Sequence, residues 1–272
     1  MNYSVENVSK DFIVGRSSTP ALDGVSLAVP AGEHLSVLGS SGAGKSTLFR
    51  LLNATLRPTR GSVRVDGCDF GAMSAAELRG ARRRIGTIYQ QHNLVPSLTS
   101  LQNTLCGCLG RWSMAQTVLG IFRPGETDVQ EAMHALELVG LADKRFSRAD
   151  ELSGGQQQRL AIARVLMQKP EVILADEPIA SLDRVLADEI ISLLVRVGSE
   201  GKRTLIVALH KVELALEHFP RIIGLDEGRM RFDLPSNTVH EDVLRDLYRE
   251  QKREALRVQD EDPFQRQFGC SR

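Results

Sequence analysis

Aromatic residues are scarce in this chain, at 5% of its 272 residues, with one Trp and three Tyr. No apolar run approaches the ~20 residues a membrane-spanning helix needs, so no transmembrane span is predicted. The opening stretch MNYSVENVSK lacks the apolar segment of a secretory signal, which predicts a cytoplasmic chain. Charge of one sign is also lacking: 34 basic and 34 acidic residues cancel. A neutral chain presents no global field to nucleic acid or an anionic membrane, and no nucleic-acid partner is expected. Cysteine occurs only at Cys68, Cys106, Cys108 and Cys270. Cys106 and Cys108 form a C-x-C pair without the further ligands a zinc site requires, which predicts reduced, mostly buried thiols. There is no internal repeat or low-complexity tract.

What is present is ordinary globular composition, 42% hydrophobic and 25% charged, at a length suited to one large α/β domain or two small ones. YSVENVSKDF and LDGVSLAVP alternate apolar and polar residues, as half-exposed antiparallel strands do. HLSVLG is a strand that runs into a glycine-rich turn and the helical KSTLFRLLNAT. After SVRVDG come a helical SAAELRGARRR and the short strand IGTIYQ. Residues 91–167 show helical periodicity without a convincing strand and predict an inserted helical subdomain, whose loop RWSMAQTVLGIFRPGETD is long enough to carry function. VILAD, the helical VLADEIISLLVRV, TLIVAL and strands near 223–232 then predict a mostly parallel, buried sheet. In the polar tail, Thr238 and Glu241 fit a capping box. Val239, Val243, Leu244, Leu247 and Tyr248 fall on one helical face behind them, and DEDPFQRQFGCSR is expected to fray.

Residues 39–46 read GSSGAGKS, matching G-x-x-x-x-G-K-[ST] between a strand and a helix. Glycines let the chain wrap tightly with backbone N–H groups turned toward an anion, and the following helix adds its positive end. Lys45 can reach the β- and γ-phosphates and Ser46 can ligate Mg²⁺. By chance the pattern arises in about one chain per hundred, before its flanks are considered. The cradle Gly39, Ser40, Ser41, Gly42, Ala43, Gly44, Lys45, Ser46 and Thr47 is therefore assigned to a bound nucleotide.

VILADEP, residues 172–178, is an apolar strand ending in Asp-Glu at the edge where open α/β sheets bind ligands. Asp176 is placed to hold Mg²⁺ through water. Glu177 is placed to orient and polarise a water attacking the γ-phosphate. Alone, such a pair also describes a solvated strand end; the phosphate loop upstream favours the functional reading. His210 ends TLIVAL and Gln90 follows IGTIY, but a strand-end His or amide is commonly just a surface group. Phe12 could stack on adenine, but a phenylalanine in a strand is usually core.

ELSGGQQQRLAIARVL poses a further question. Glycine weakens a helix interior by ~1 kcal/mol per residue, and a bare helix start needs only a capping residue. Taken in order, GSSGAGKST, YQQ, LSGGQQQRLAIAR, ILADEP, ASLD and ALH resemble the ATP-binding-cassette (ABC) ATPases over roughly residues 3–235. The resemblance implies an α/β fold, a RecA-like phosphate-loop NTPase core with an antiparallel β subdomain and an inserted helical subdomain. It implies one ATPase domain over 1–240, with the insertion at about 91–167, and a helical tail over 241–272. It also implies a head-to-tail homodimer that sandwiches ATP. Ser153, Gly154, Gly155 and Gln156 would then meet the ATP held by the other copy, and Ser181, Leu182 and Asp183 would lie at the seam. Gln90 would touch Mg²⁺ or the attacking water and link the nucleotide to the helical subdomain. His210 would contact the γ-phosphate and Phe12 would stack on adenine. Mg²⁺ would fall to Ser46, Gln90 and Asp176, with Glu177 central to hydrolysis.

A cassette without a membrane span implies a separate subunit at the cytoplasmic face of the inner membrane. It would dock on permease subunits through residues near 91–130 and be served indirectly by a solute-binding protein. Trp112 is read there as a core or cap residue, and Arg82–Arg84 as a solvated helix face. YQQHNLVPSLTSLQNTLCGCLGRWS, TVLGIF and the triple Gln156–Gln158 are similar to ATP-binding subunits of bacterial phosphonate importers, with phosphite or another phosphorus oxyanion close behind. Import of another small solute, or a soluble cassette acting on nucleic acid or ribosomes, are the alternatives. The second would be expected to bring basic stretches or a second cassette, and neither is visible. A small-molecule kinase would have no use for LSGGQ.

Overall fold

The computed structural model describes residues 1–15, 17–112 and 124–248. The TVLGIF segment, Cys270 and the DEDPFQRQFGCSR stretch expected to fray lie outside them. In chain order the strands are β1 (Tyr3–Val14), β2 (Ser17–Val29), β3 (His34–Leu38), β4 (Arg60–Val65), β5 (Cys68–Asp69), β6 (Ile85–Ile88), β7 (Val172–Asp176), β8 (Thr204–Leu209), β9 (Arg221–Asp226) and β10 (Arg229–Pro235). The helices are α1 (Lys45–Leu52), α2 (Ala75–Arg83), α3 (Ser100–Leu105), α4 (Glu126–Leu138), α5 (Gly154–Met167), α6 (Arg184–Glu200), α7 (Val212–His218) and α8 (Glu241–Leu247).

Two sheets result. The larger has the order β10-β9-β3-β8-β7-β6, parallel except for β10. The smaller is antiparallel, β2-β1-β4-β5. The continuous apolar runs of β7 and β8 are explained by burial on both faces. Ile173 and Ala175 of β7, with Leu205, Val207 and Leu209 of β8, pack under α5 and α6. Val172 and Leu174, with Ile206 and Ala208, face α1 and the antiparallel sheet. Side chains alternate across a strand, so one sheet feeds two cores. Helices α3, α4 and α5 form the region between β6 and β7, around Leu105, Cys108, Ala132 and Met167; among its described residues there is no strand.

Several expectations change. Thr238 does not cap α8: it closes a 3₁₀ turn and donates to the Pro235 carbonyl, while His240 is the N-cap and makes no side-chain cap bond. Val239 and Leu247 are nonetheless buried, and Leu244 and Tyr248 pack on the core. Of the described cysteines only Cys108 is buried, while Cys68 is exposed; burial pushes the Cys108 thiol up to about 11. Trp112 does close a small core and donates from Nε1 to Asp128. The run Arg82–Arg84 is not simply solvated. Arg82 donates to the Ala54 carbonyl, and Arg84 is ion-paired with Asp66 and Glu171.

Candidate functional site

The phosphate loop leaves β3 and enters α1 where the two sheets meet. Gly39 is buried so tightly that a Cβ would lie 2.3 Å from the Leu225 carbonyl oxygen of β9. Gly44 has φ +102, and its Cβ would lie 2.6 Å from the Ala21 carbonyl oxygen of β2. A left-handed backbone with no room for a side chain requires glycine. Gly42, also left-handed, faces open space. Glycine thus holds the loop against both sheets at two points and leaves its rim open.

Lys45 is 4% exposed, and its Nζ donates to the Gly39 and Ser40 carbonyls at 2.8 Å each. The same ammonium lies 3.0 Å from Oε1 of Glu177. Strand β7 delivers that carboxylate, and the chain turns sharply at it: Glu177 has φ +49, a left-handed conformation unusual for a non-glycine residue. Asp176, at the strand end, has Oδ1 buried without a partner. Burial raises its pKa above the ordinary carboxylate value. The nearby Ser46 hydroxyl opposes this, the Glu177 charge adds to it, and the Lys45 ammonium opposes it. An orphaned carboxylate oxygen beside a hydroxyl and a phosphate cradle is a donor set suited to a hard divalent cation.

The structure therefore brings Gly39, Ser40, Lys45, Ser46, Asp176 and Glu177 together. Among the described residues, no hydrogen bond or ion pair joins Phe12, Gln90, Ser153–Gln156, Ser181–Asp183 or His210 to Gly39–Thr47. Gln90 and His210 are exposed at the ends of β6 and β8. Phe12 is half-buried on β1 opposite Thr19, with the Lys10 ammonium 5.5 Å from its ring centroid.

Ser153 is the N-cap of α5. Its hydroxyl accepts from the Gln156 N–H, and the Gln156 side chain accepts in return from the Ser153 N–H at 3.0 Å. The two glycines differ. A Cβ on Gly154 would meet nothing within 4 Å, whereas one on Gly155 would lie 2.4 Å from Cδ2 of Leu186. Only Gly154 is open to an outside group; Gly155 is small because α6 packs against it. Asp183 caps α6 by accepting from Leu186 N–H at 3.0 Å.

Three supporting contacts were beyond the reach of sequence patterns. Lys211 donates to the Leu182 carbonyl at 3.1 Å and joins the His210 turn to the 181–183 turn. Gln157 donates to the Ala149 and Leu152 carbonyls and fixes the approach to α5. Asn103, fully buried, bonds both the N–H and carbonyl of Val95 and the carbonyls of Leu98 and Thr99.

Fold and site together define an ATP-binding-cassette ATPase. A family model described as ABC transporter matches residues 22–180, and the chain belongs to that family. It is similar to the phosphonates import ATP-binding protein PhnC of Pseudomonas fluorescens (45% identity, 87% of this chain and 89% of that one). It is also similar to PhnC 2 of Oceanobacillus iheyensis (42%, 93% and 98%). Among solved structures it resembles the dimeric post-hydrolysis state of the cassette MJ0796 bound to ADP and Pi, with TM-score 0.76 and 33% identity over 86% of this chain and 98% of that one. No described helix is long and apolar enough to cross a membrane.

Proposed function

We propose that this chain is the ATP-hydrolysing subunit of a bacterial importer for phosphonates or a related phosphorus oxyanion, working as a homodimer beneath separate permease subunits at the cytoplasmic face of the inner membrane. A solute-binding protein outside would deliver the cargo. The substrate class rests on the similarity to the PhnC proteins. The chemistry rests chiefly on one observation: Lys45, buried in the cradle, is shared between loop carbonyls and Glu177.

A triphosphate entering the cradle brings stronger acceptors than carbonyls, so Lys45 turns to it and releases Glu177. The freed carboxylate accepts a hydrogen bond from a water and aims it at the γ-phosphate. Ser46, Asp176 and Gln90 would hold Mg²⁺, which neutralises charge on the phosphate oxygens. Gly39–Thr47 supplies N–H donors, Phe12 stacks on adenine, and His210 donates to the γ-phosphate. The capping box uses the Ser153 and Gln156 N–H groups and leaves the Gly154 and Gly155 N–H groups of the first turn without an intrahelical partner. With Ser153, Gly154, Gly155 and Gln156 they cover the ATP of the second copy, across a seam at Ser181, Leu182 and Asp183.

The test is Glu177→Gln. It removes the carboxylate that competes for Lys45, so ATP affinity should be retained or tightened about fivefold, ~1 kcal/mol. Turnover should fall at least a hundredfold, and size-exclusion with small-angle scattering should show a dimer only with magnesium-ATP. A variant that stays monomeric at saturating ATP, or that hydrolyses at the wild-type rate, overturns the assignment. Stimulation of ATP turnover by phosphonates in the assembly that co-purifies with the chain tests the cargo.

A further inference from the structure

Arg164 lies three turns into α5, roughly 16 Å along the axis from Ser153 at 1.5 Å per residue. Its side chain is half-buried, and its hydrogen-bond partners are two backbone carbonyls: His92, 2.8 Å from Nη2, and Asn93, bonded to Nη1. Burial disfavours its charge. Two charge-assisted hydrogen bonds to carbonyls of one loop fix where that loop lies against α5.

Both acceptors belong to the loop that starts at Gln90. The chain reverses there at Asn93, which sits in the left-handed region at φ +51. The base of Arg164 is equally fixed. A Cβ on Gly107 would lie 2.1 Å from the Arg164 carbonyl oxygen and 2.9 Å from Cβ of Met167, so α5 rests directly on the turn Cys106–Gly110. Further along the loop Asn103 bonds Val95, Leu98 and Thr99, but nearest Gln90 the loop is held by Arg164.

We propose that Arg164 is a positioning residue for ATP hydrolysis: its planar fork ties the Gln90 loop to the helix that begins at Ser153, so that Gln90 and the Ser153–Gln156 end move as one unit when ATP is enclosed. The inference rests on the role given to Gln90 above. The fork bridges consecutive carbonyls, a geometry an ammonium cannot reproduce.

The experiment is a double-mutant cycle on the full-length chain with Gln90→Ala and Arg164→Met, reading kcat for magnesium-ATP and the affinity of a fluorescent ATP analogue. Arg164→Met should lower kcat about tenfold and leave affinity within twofold, because Lys45 and the phosphate loop are untouched. In the Gln90→Ala background the same substitution should cost less than twofold. Arg164→Lys, which keeps the charge and one donor direction, should fall between wild type and Arg164→Met. It replaces Arg164→Met in the cycle if the latter does not fold. Equal losses in both backgrounds, or unchanged kcat in the wild-type background, overturn the proposal while leaving Gln90 in place. Wild-type turnover in Gln90→Ala alone overturns the Gln90 reading and this proposal with it.

Discussion

Glu177 carries the chemistry of the site in a backbone conformation that resists it. At φ +49 its Cβ crowds the following carbonyl, which costs a non-glycine residue of order 1–3 kcal/mol. The turn places the carboxylate beside the Lys45 ammonium instead of letting it follow β7 outward. The strain can be separated from the ion pair by comparing two truncations. Glu177→Ala and Glu177→Gly both lose the carboxylate, but only glycine also relaxes the backbone. Glu177→Gly should therefore unfold at a higher denaturant midpoint, by about 1 kcal/mol. Equal midpoints would show that the left-handed turn carries no strain. Asp176, one residue earlier, keeps extended backbone and an orphaned oxygen. Adjacent carboxylates thus arrive at the loop in different conformations and different surroundings.

The helix α5 makes the same point one scale up. Gly154 and Gly155 look interchangeable in SGGQ, yet the first opens outward and the second is filled by Leu186. Gly154→Ala should leave the monomer's melting temperature within about 1 °C, since surface changes usually stay within ~0.5 kcal/mol, while abolishing the ATP-driven dimer. Gly155→Ala should overpack the α5–α6 contact and cost about 1–3 kcal/mol of stability without any nucleotide. Reversed effects in thermal melts and scattering would exchange the two roles. Periodicity and motif spacing did locate α5, the phosphate loop, the strand ending in Asp176 and the mostly parallel sheet, because each is a local pattern of few residues. Arg164 reaching the loop 71 residues away and Leu186 against Gly155 were not legible, since contacts between distant segments leave no spacing in one sequence. The misread cap at Thr238 has a local cause: the chain takes a 3₁₀ turn over Ser236–Thr238, so the helix begins later.

For the whole molecule, the phosphate loop is gripped by both sheets, so their relation sets the site. Arg84 is one tie between them. It stands just before β6, pairs with Asp66 in the turn after β4, and pairs with Glu171 just before β7. The Glu171 N–H also donates to the Arg84 carbonyl, and the N-terminal ammonium lies 3.7 Å from Glu171. The Arg84 guanidinium holds the Glu171 carboxyl below its ordinary 4.5. For Asp66 the Asn2 backbone N–H acts first, against burial, with Arg84 adding to it below the ordinary 3.8. Both folded pKa values are depressed, so the stabilisation is fully present above 4.5 and is lost as pH falls through the lowered values. Arg84→Met should therefore differ most from wild type near neutral pH, and the gap should narrow steadily below pH 4.5. Arg84→Met should itself keep part of the acid sensitivity, because the Asn2 N–H still holds Asp66. The side chains are 36–47% exposed, so the effect is modest and screened. At about 1 M salt, where the screening length is ~3 Å, the two proteins should unfold at nearly the same midpoint across the acid range. A gap that persists there, or that widens on acidification, would place the work of Arg84 in packing and not in charge.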